Sequence, residues 1–306
     1  MCPILFEIGK IKIAGYGTMI AIGFILALIM AEKRAEKKGL NKDLIFSLGI
    51  TCIVSGFVGA KLMHYIVEFK YYMANPSRFL DINSGFVVYG GIILGIISGL
   101  VFCKIKKLEF GRYFDIVMPS VALAQAFGRI GCFMAGCCYG KETTSAIGVT
   151  FKPESFAPHD VKLIPVQLFS SIALFVLVII LVYFAKNEHR RPYKVAGLYM
   201  ILYSIGRFVI EFFRSDDRGT VGMFSTSQFI SLGIVVIGFV VYNLSSIIES
   251  VKKENVTIDD EIDVEAILAK NADAEESTAE AEAETEESTE DEVKNEESND
   301  SDENVE

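Results

Sequence analysis

FDIVMPSVALAQAFGRIGCF, residues 114 to 133, is long and apolar enough to cross a bilayer, yet it carries Arg129. A second such stretch, VAGLYMILYSIGRFVIEFF from residue 195 to 213, carries Arg207. A guanidinium cannot shed its proton to escape hydrocarbon, and a charge at the bilayer centre costs about 2.5 to 3.5 kcal/mol or more. Each arginine therefore persists only with a partner, and the first functional question is which anion they meet.

Outward from these two stretches the chain of 306 residues is 51% hydrophobic, and its charges are segregated. Residues 250–306 hold 23 Asp plus Glu against 4 Lys plus Arg, a net of −19, whereas residues 1–249 hold 16 against 25, a net of +9. The first part reads as a cationic, hydrophobic body. The second is too acidic and too poor in large apolar groups to offset its ordering entropy, which predicts a disordered tail. A solvating role suits that tail, since the anionic inner leaflet repels it.

Seven segments of spanning length fill the body: Ala14 to Ala31, Leu44 to Val67, Gly85 to Cys103, Phe114 to Phe133, Val166 to Ala185, Val195 to Phe213 and Phe224 to Leu244. Each approaches the 20 or so residues that cover about 30 Å of hydrocarbon. The first starts too far into the chain, and lacks too clearly a small-residue cleavage site, to read as a removed signal peptide. Alternate loops are rich in Lys and Arg, with Lys33, Arg34, Lys37, Lys38 and Lys42, then Lys104, Lys106, Lys107 and Arg112, then Lys186, Arg190, Arg191 and Lys194. The positive-inside rule then places the N-terminus outside and the tail in the cytoplasm. The expected fold is an all-α membrane protein of seven transmembrane helices over residues 1–249, followed by a disordered cytoplasmic tail over 250–306.

That orientation assigns depths. Tyr89 opens the third span, Arg129 closes the fourth, Arg207 and Glu211 lie in the outer third of the sixth, and Lys61 and His64 end the second. Polar groups from four helices share one level, which predicts a polar cavity open to the outer leaflet. Tyr199, Tyr203, Arg207 and Glu211 recur every four residues and so stack on one helical face directed into the bundle. Arg207 and Glu211 could simply neutralise each other, which leaves Arg129 without an anion; a phosphate would suit two guanidinium forks. In YGGIILGIISG, residues 89 to 99, Gly95 and Gly99 read as a helix-packing seam, whereas Gly90 and Gly91 lie where a lipid headgroup can approach the backbone.

Six cysteines are present, and Cys132, Cys137 and Cys138 form a C-x4-CC cluster at the outer end of the fourth span. Packing thiols, a disulfide from Cys132 to Cys137 or Cys138, and a redox or metal site all fit that spacing. A metal would need a fourth ligand that the sequence does not name.

GRIGCFMAGCCYG, residues 128 to 140, resembles the GRxGNFxNxExxG signature of the prolipoprotein diacylglyceryl transferases. YGT at Tyr16 to Thr18, DIVMP at Asp115 to Pro119, GRFVIEFFRSDDRG at Gly206 to Gly219 and STSQFISL from Ser225 extend the resemblance over roughly residues 10 to 245. It implies a multi-pass enzyme of the bacterial cytoplasmic membrane. The implied reaction moves a diacylglyceryl group from phosphatidylglycerol to the thiol of a lipobox cysteine in a precursor protein, with glycerol phosphate leaving. Phosphatidylglycerol, lipobox precursors and membrane lipids are then the partners; no nucleic acid, metal or cofactor is expected. On this likeness Arg129 and Arg207 bind or polarise the phosphate, Glu211 orients Arg207, and Tyr16 and Gly140 line the site.

The departures carry information too. Tyr89 stands where the family commonly has His, and a phenol is a poor base at neutral pH. Cys132 replaces the signature Asn and Cys137 the signature Glu. His64 is the histidine at the right depth to act instead, and the substrate thiol could also ionise without a dedicated base in an arginine-rich cavity. The competing function class is a non-catalytic descendant that binds or translocates anionic lipid or a small anion with the same arginines.

Overall fold

The computed structural model describes residues 4–8, 11–80, 85–187, 190–215, 220–221 and 223–251. The acidic tail beyond residue 251, Cys2, His189 and Arg218 lie outside the described residues. The chain divides at Ser245 into two units, and of the second the described part is residues 246–251, which are helical.

A hairpin of β1 (Ile4–Ile8) and β2 (Ile11–Ala14) leads into α1 (Gly15–Lys37), α2 (Lys42–Val67), a short α3 (Phe69–Ala74) and a 3-10 turn at Pro76–Leu80. Then follow α4 (Val88–Ile105), α5 (Phe110–Ala135), the two-residue strands β3 (Val149–Thr150) and β4 (Lys162–Leu163), α6 (Val166–Phe184) and α7 (Lys194–Glu211). A last small pair, β5 (Thr220–Val221) and β6 (Phe224–Ser225), precedes α8 (Thr226–Val251). The protein is an all-α membrane protein: α1, α2, α4, α5, α6 and α8 are long and apolar enough to cross a bilayer. The remaining long helix, α7, has 18 residues and includes Lys194, Arg207 and Glu211.

Helix ends follow local chemistry. The sequence reading stops the first span at Ala31, but the helix continues through EKRAEK to Lys37, since these straight-chain residues favour helix and leave the apolar stretch for its polar border. It ends at Gly39, whose φ of 67° turns the chain so that the Leu40 N–H donates to the Ala35 carbonyl at 2.9 Å. Asn41 then caps α2 by accepting from the Asp43 N–H at 2.8 Å.

Small residues set the packing. On α1 the buried positions Gly15, Gly23, Ala27, Ala31 and Ala35 lie on one stripe, four or eight residues apart. This stripe lets α5 approach closely, so that a Cβ on Gly23 would stand 2.9 Å from the Phe127 Cβ. α2 and α4 meet in the same way: a side chain on Gly90 would collide with the Gly59 carbonyl oxygen, and one on Gly91 would stand 2.8 Å from the Gly56 carbonyl oxygen. The glycines expected to admit a headgroup thus serve a backbone crossing.

α5 runs through the centre of the bundle, beside α1 on one flank and α6 and α7 on the other. Pro119 withholds an N–H from its helix, and the nearby Ile116 carbonyl accepts from Arg34 Nη1 at 2.8 Å. One turn earlier, Asp115 Oδ1 accepts from the Ala196 N–H at 2.8 Å and so caps the start of α7 from a neighbouring helix, where α7 has no side-chain cap of its own. At the opposite end of α7 the arginine residues begin.

Gly90→Ala should lower stability by about 1 to 3 kcal/mol, the scale of an overpacked contact, when thermal unfolding is followed in detergent. Gly233→Ala, whose added Cβ would meet nothing within 4 Å, should stay within about 0.5 kcal/mol. Equal melting of the two variants would contradict a tight α2–α4 crossing.

Candidate active site

The C-terminal ends of α5 and α7 and the N-terminal end of α6 meet at one end of the bundle. The joining backbone explains why. The loop after α5 runs antiparallel to the segment after α7 at Gly140 and Arg214, with the Lys141 N–H donating to the Phe213 carbonyl at 3.0 Å and the Ser215 N–H to the Tyr139 carbonyl at 3.3 Å. The same loop reaches α6, because the Gly140 N–H donates to the Ile164 carbonyl at 3.1 Å. A Cβ on Gly140 would stand 2.5 Å from that Ile164 oxygen, so glycine is required by the crossing. Gln167, fully buried at the start of α6, donates from Nε2 to the Cys137 carbonyl at 2.8 Å.

Within this frame a cavity of about 190 Å³ lies between α5, α6 and α7. Arg129, Tyr203 and Arg207 supply its charged and aromatic groups; Leu174, Leu177 and Leu202 belong to an apolar wall that runs along α6 to Ile180. Val176 and Ile180 in that wall are also exposed on the outer surface of the bundle, so the cavity communicates with whatever surrounds the helices.

The two arginines are held differently. Arg207 Nη1 contacts Glu211 Oε2 at 2.8 Å, one turn along α7, and Nη2 donates to Ser227 Oγ at 3.0 Å. Glu211 also accepts from Ser225 Oγ at 3.1 Å and lies 3.7 Å from Arg214 Nε. One carboxylate thus answers two guanidiniums, and all three side chains are largely buried. Arg129 has no carboxylate and no hydrogen-bond acceptor among the described residues; its electrostatic neighbours are Tyr203, Cys132, Cys138 and Arg214. Behind the arginines the α7 column continues inward, with Tyr203 stacked on Tyr199 at 5.5 Å and the Tyr199 hydroxyl donating to Gln125 Oε1 at 2.9 Å.

Three thiols gather where α5 ends, and Cys132 and Cys138 are within electrostatic range of Arg129. Gly136, at φ 74°, ends α5 and throws the chain back so that the Cys137 N–H donates to the Cys132 carbonyl at 3.1 Å. The sulfurs of Cys132, Cys137 and Cys138 gather together as thiols, without a disulfide. Hydrogen bonds from Cys132 and Cys137, and beyond them from Arg214, pull the Cys138 thiol below its ordinary pKa against the effect of burial. Tyr16, at the start of α1, packs on Gly131 and lies in electrostatic range of all three cysteines and of Arg129.

The structure therefore brings together Arg129, Arg207, Glu211, Tyr16, Cys132, Cys137 and Gly140. His64 and Tyr89 do not line this cavity. His64 lies on α2 among Tyr65, Tyr72 and Gly85, its ring 5.7 Å edge-on from Tyr72, and Tyr89 is half exposed at the start of α4. Sequence reasoning missed Arg214, Ser225, Ser227 and Gln167. Their signal was faint, since each lies in a loop or at a helix start and becomes functional through a tertiary contact.

Comparison with known proteins gives a family whose model, described as prolipoprotein diacylglyceryl transferase, matches residues 3–244. A Clostridium tetani protein named phosphatidylglycerol–prolipoprotein diacylglyceryl transferase is 48% identical over 244 residues, covering 80% of this chain and 98% of that protein. A Clostridium perfringens protein, numbered 2 under the same name, is 46% identical over 246 residues, covering 80% and 95%. One from Finegoldia magna, again with that name, is 34% identical over 241 residues, covering 78% and 94%.

Glu211→Ala should destabilise the protein by about 3 kcal/mol or more, because it leaves the buried Arg207 guanidinium without its carboxylate. A detergent melting curve unchanged from that of the parent protein would show that solvent, and not Glu211, balances this guanidinium.

Proposed function

The chain belongs to the prolipoprotein diacylglyceryl transferase family, and we propose that it carries out this transfer with Arg129 and Arg207 as its phosphate clamp. It is a multi-pass membrane transferase. Its donor is phosphatidylglycerol and its acceptor is the cysteine thiol of a lipobox in a precursor protein. The observation that carries the assignment of roles is Arg129: a guanidinium on the wall of a cavity, without a carboxylate among the described residues, opposite a second arginine and above apolar walls. That is the complement of an anionic lipid, whose phosphodiester would lie between the forks while an acyl chain follows α6 toward Ile180.

The chemistry follows from this placement. The acceptor sulfur attacks the sp3 carbon of the glyceryl group, the bond from that carbon to the phosphate oxygen breaks, and glycerol phosphate leaves with the electron pair. Negative charge grows on the departing phosphate, so cations already fixed beside it lower the barrier without reorganising at the moment of reaction. Arg207 is fixed by Glu211 and Ser227. Arg129 gains its full set of partners when the lipid arrives, which directs its interaction toward the ligand.

The reading includes α7 as a seventh span, which its central position between apolar neighbours supports although it carries three charges. It also places the N-terminus outside and the reaction at the outer leaflet of the cytoplasmic membrane, supported by the lysine and arginine bias of alternate loops. In that orientation the cavity opens at the level where a secreted precursor presents its cysteine.

Purified protein mixed with phosphatidylglycerol and a lipobox peptide should yield the thioether adduct by mass spectrometry. Arg129→Ala and Arg207→Ala should each reduce adduct formation by about 10²- to 10³-fold or more, the scale of losing one charge-stabilising donor, while membrane insertion persists. Full activity in either variant would remove the clamp from the mechanism. Val176→Trp, which narrows the apolar wall from a half-exposed position, should raise the phosphatidylglycerol concentration needed for half-maximal rate while both arginines stay in place. An unchanged concentration dependence would show that the acyl chain lies elsewhere.

A further inference from the structure

The three thiols where α5 ends have no part in the phosphate clamp, and their geometry is specific. The Sγ atoms of Cys132, Cys137 and Cys138 all lie within 4.8 Å of one another. Zinc bound tetrahedrally at about 2.3 Å from each sulfur spaces its ligands about 3.8 Å apart, so no pair in the trio needs to close by more than about 1 Å to hold one. The backbone already forces the convergence: the turn at Gly136 folds Cys137 onto the last turn of α5, and Gln167 anchors the Cys137 carbonyl. Cys138 adopts a φ of 59°, a left-handed conformation that a non-glycine residue adopts at a cost of about 1 to 3 kcal/mol and that clusters at functional sites.

Charge and chemistry point the same way. Two guanidiniums, Arg129 and Arg207, line the cavity, which favours anions at this end of the bundle. A zinc held by three thiolates has a net charge of minus one and suits that setting. The reaction also needs a sulfur nucleophile stripped of its proton, and among the described residues the lining of the cavity contains neither a histidine nor a carboxylate to take it.

We propose that Cys132, Cys137 and Cys138 hold a zinc ion whose fourth position receives the lipobox cysteine as a thiolate, beside the phosphate gripped by Arg129 and Arg207. This inference rests on the transferase reading and deepens it. The peptide thiol displaces water from the fourth position and releases its proton to solvent as its sulfur coordinates. That sulfur then forms the new carbon–sulfur bond while the carbon–oxygen bond breaks, and both electrons of the broken bond leave on the glycerol phosphate oxygen. The phosphodiester monoanion becomes a phosphate monoester and the peptide becomes a neutral thioether. A thioether is a much weaker zinc ligand than a thiolate, so water regains the position and product departs. No oxidation state changes.

The test begins with Co2+ alone added to the purified, reduced, metal-stripped protein. Thiolate-to-cobalt charge transfer and tetrahedral ligand-field absorption should appear, saturate at about one ion per chain and vanish on addition of Zn2+. Cys132→Ser, Cys137→Ser and Cys138→Ser should each weaken or abolish the signal, whereas Cys103→Ser, which alters a cysteine on α4, should keep it. A lipobox peptide should shift the cobalt bands, and the same peptide with serine for its cysteine should not. Stripping zinc from the wild-type protein should slow thioether formation by about 100-fold or more, with recovery on adding Zn2+ back, and this arm decides the matter even where a cysteine variant fails to fold. A protein that makes thioether yet shows no cobalt–thiolate signal overturns the inference and leaves the transferase reading intact. So does an active protein in which mass mapping finds two of the three cysteines joined as a disulfide. A peptide-responsive cobalt signal in a protein that makes no thioether supports the metal site and removes the transferase reading instead.

Discussion

A guanidinium inside a membrane protein needs an anion, and the supply of anions governs the end of the bundle where α5, α6 and α7 meet. Glu211 is shared between Arg207 and Arg214 and is steadied by Ser225. That sharing immobilises the α7 terminus, draws the start of α8 against it through Ser227, and leaves Arg129 as the cation whose balance comes from outside the described chain. A carboxylate beside Arg129 would balance that guanidinium within the described chain, as Glu211 balances Arg207.

The rest of the fold maintains this excess in place. Small residues along α1 bring it close to α5, the central helix that carries Arg129 and Cys132. At the far end Asp115 caps α7, so the two helices that present the arginines are also tied together about 20 Å along α5 from Arg129. α7 is thereby held at both ends, by a cap at its start and by Glu211, Ser225 and Ser227 at its finish. Between those ties the cavity has walls from rigid helices, as a preorganised site requires.

Much of this was legible in the chain, and what was not has a common cause. Hydropathy located the long helices because the bilayer imposes a length, though α1 and α8 run on past the expected Ala31 and Leu244 to Lys37 and Val251, and fourfold spacing put Tyr199, Tyr203, Arg207 and Glu211 on one face because helix geometry is local. Depth was a different matter. An expected common height for His64, Tyr89, Arg129 and Arg207 says nothing of their bearing around the bundle axis. The α2–α4 pair carries His64 to an aromatic cluster with Tyr65 and Tyr72 and leaves Tyr89 half exposed, while Arg129 and Arg207 face a cavity walled by α5, α6 and α7. Arg214 was hidden for a related reason: its meaning comes from the antiparallel pairing of two loops, at Gly140 and Arg214, that sequence spacing does not announce. The cysteines were visible as a cluster, but their convergence depended on the handedness of a single turn at Gly136.

The exposed residues Val176 and Ile180 in the wall of the cavity have one further implication. A fatty tail entering past them passes from hydrocarbon to a hydrocarbon-like slot without meeting water, so the usual gain of about 0.8 kcal/mol per methylene on leaving water does not arise. On the proposed reading tail length contributes almost nothing to recognition, and transfer would proceed unaltered in membranes whose fatty acids lengthen, shorten or branch with growth temperature. Discrimination would then be confined to the polar end of the molecule.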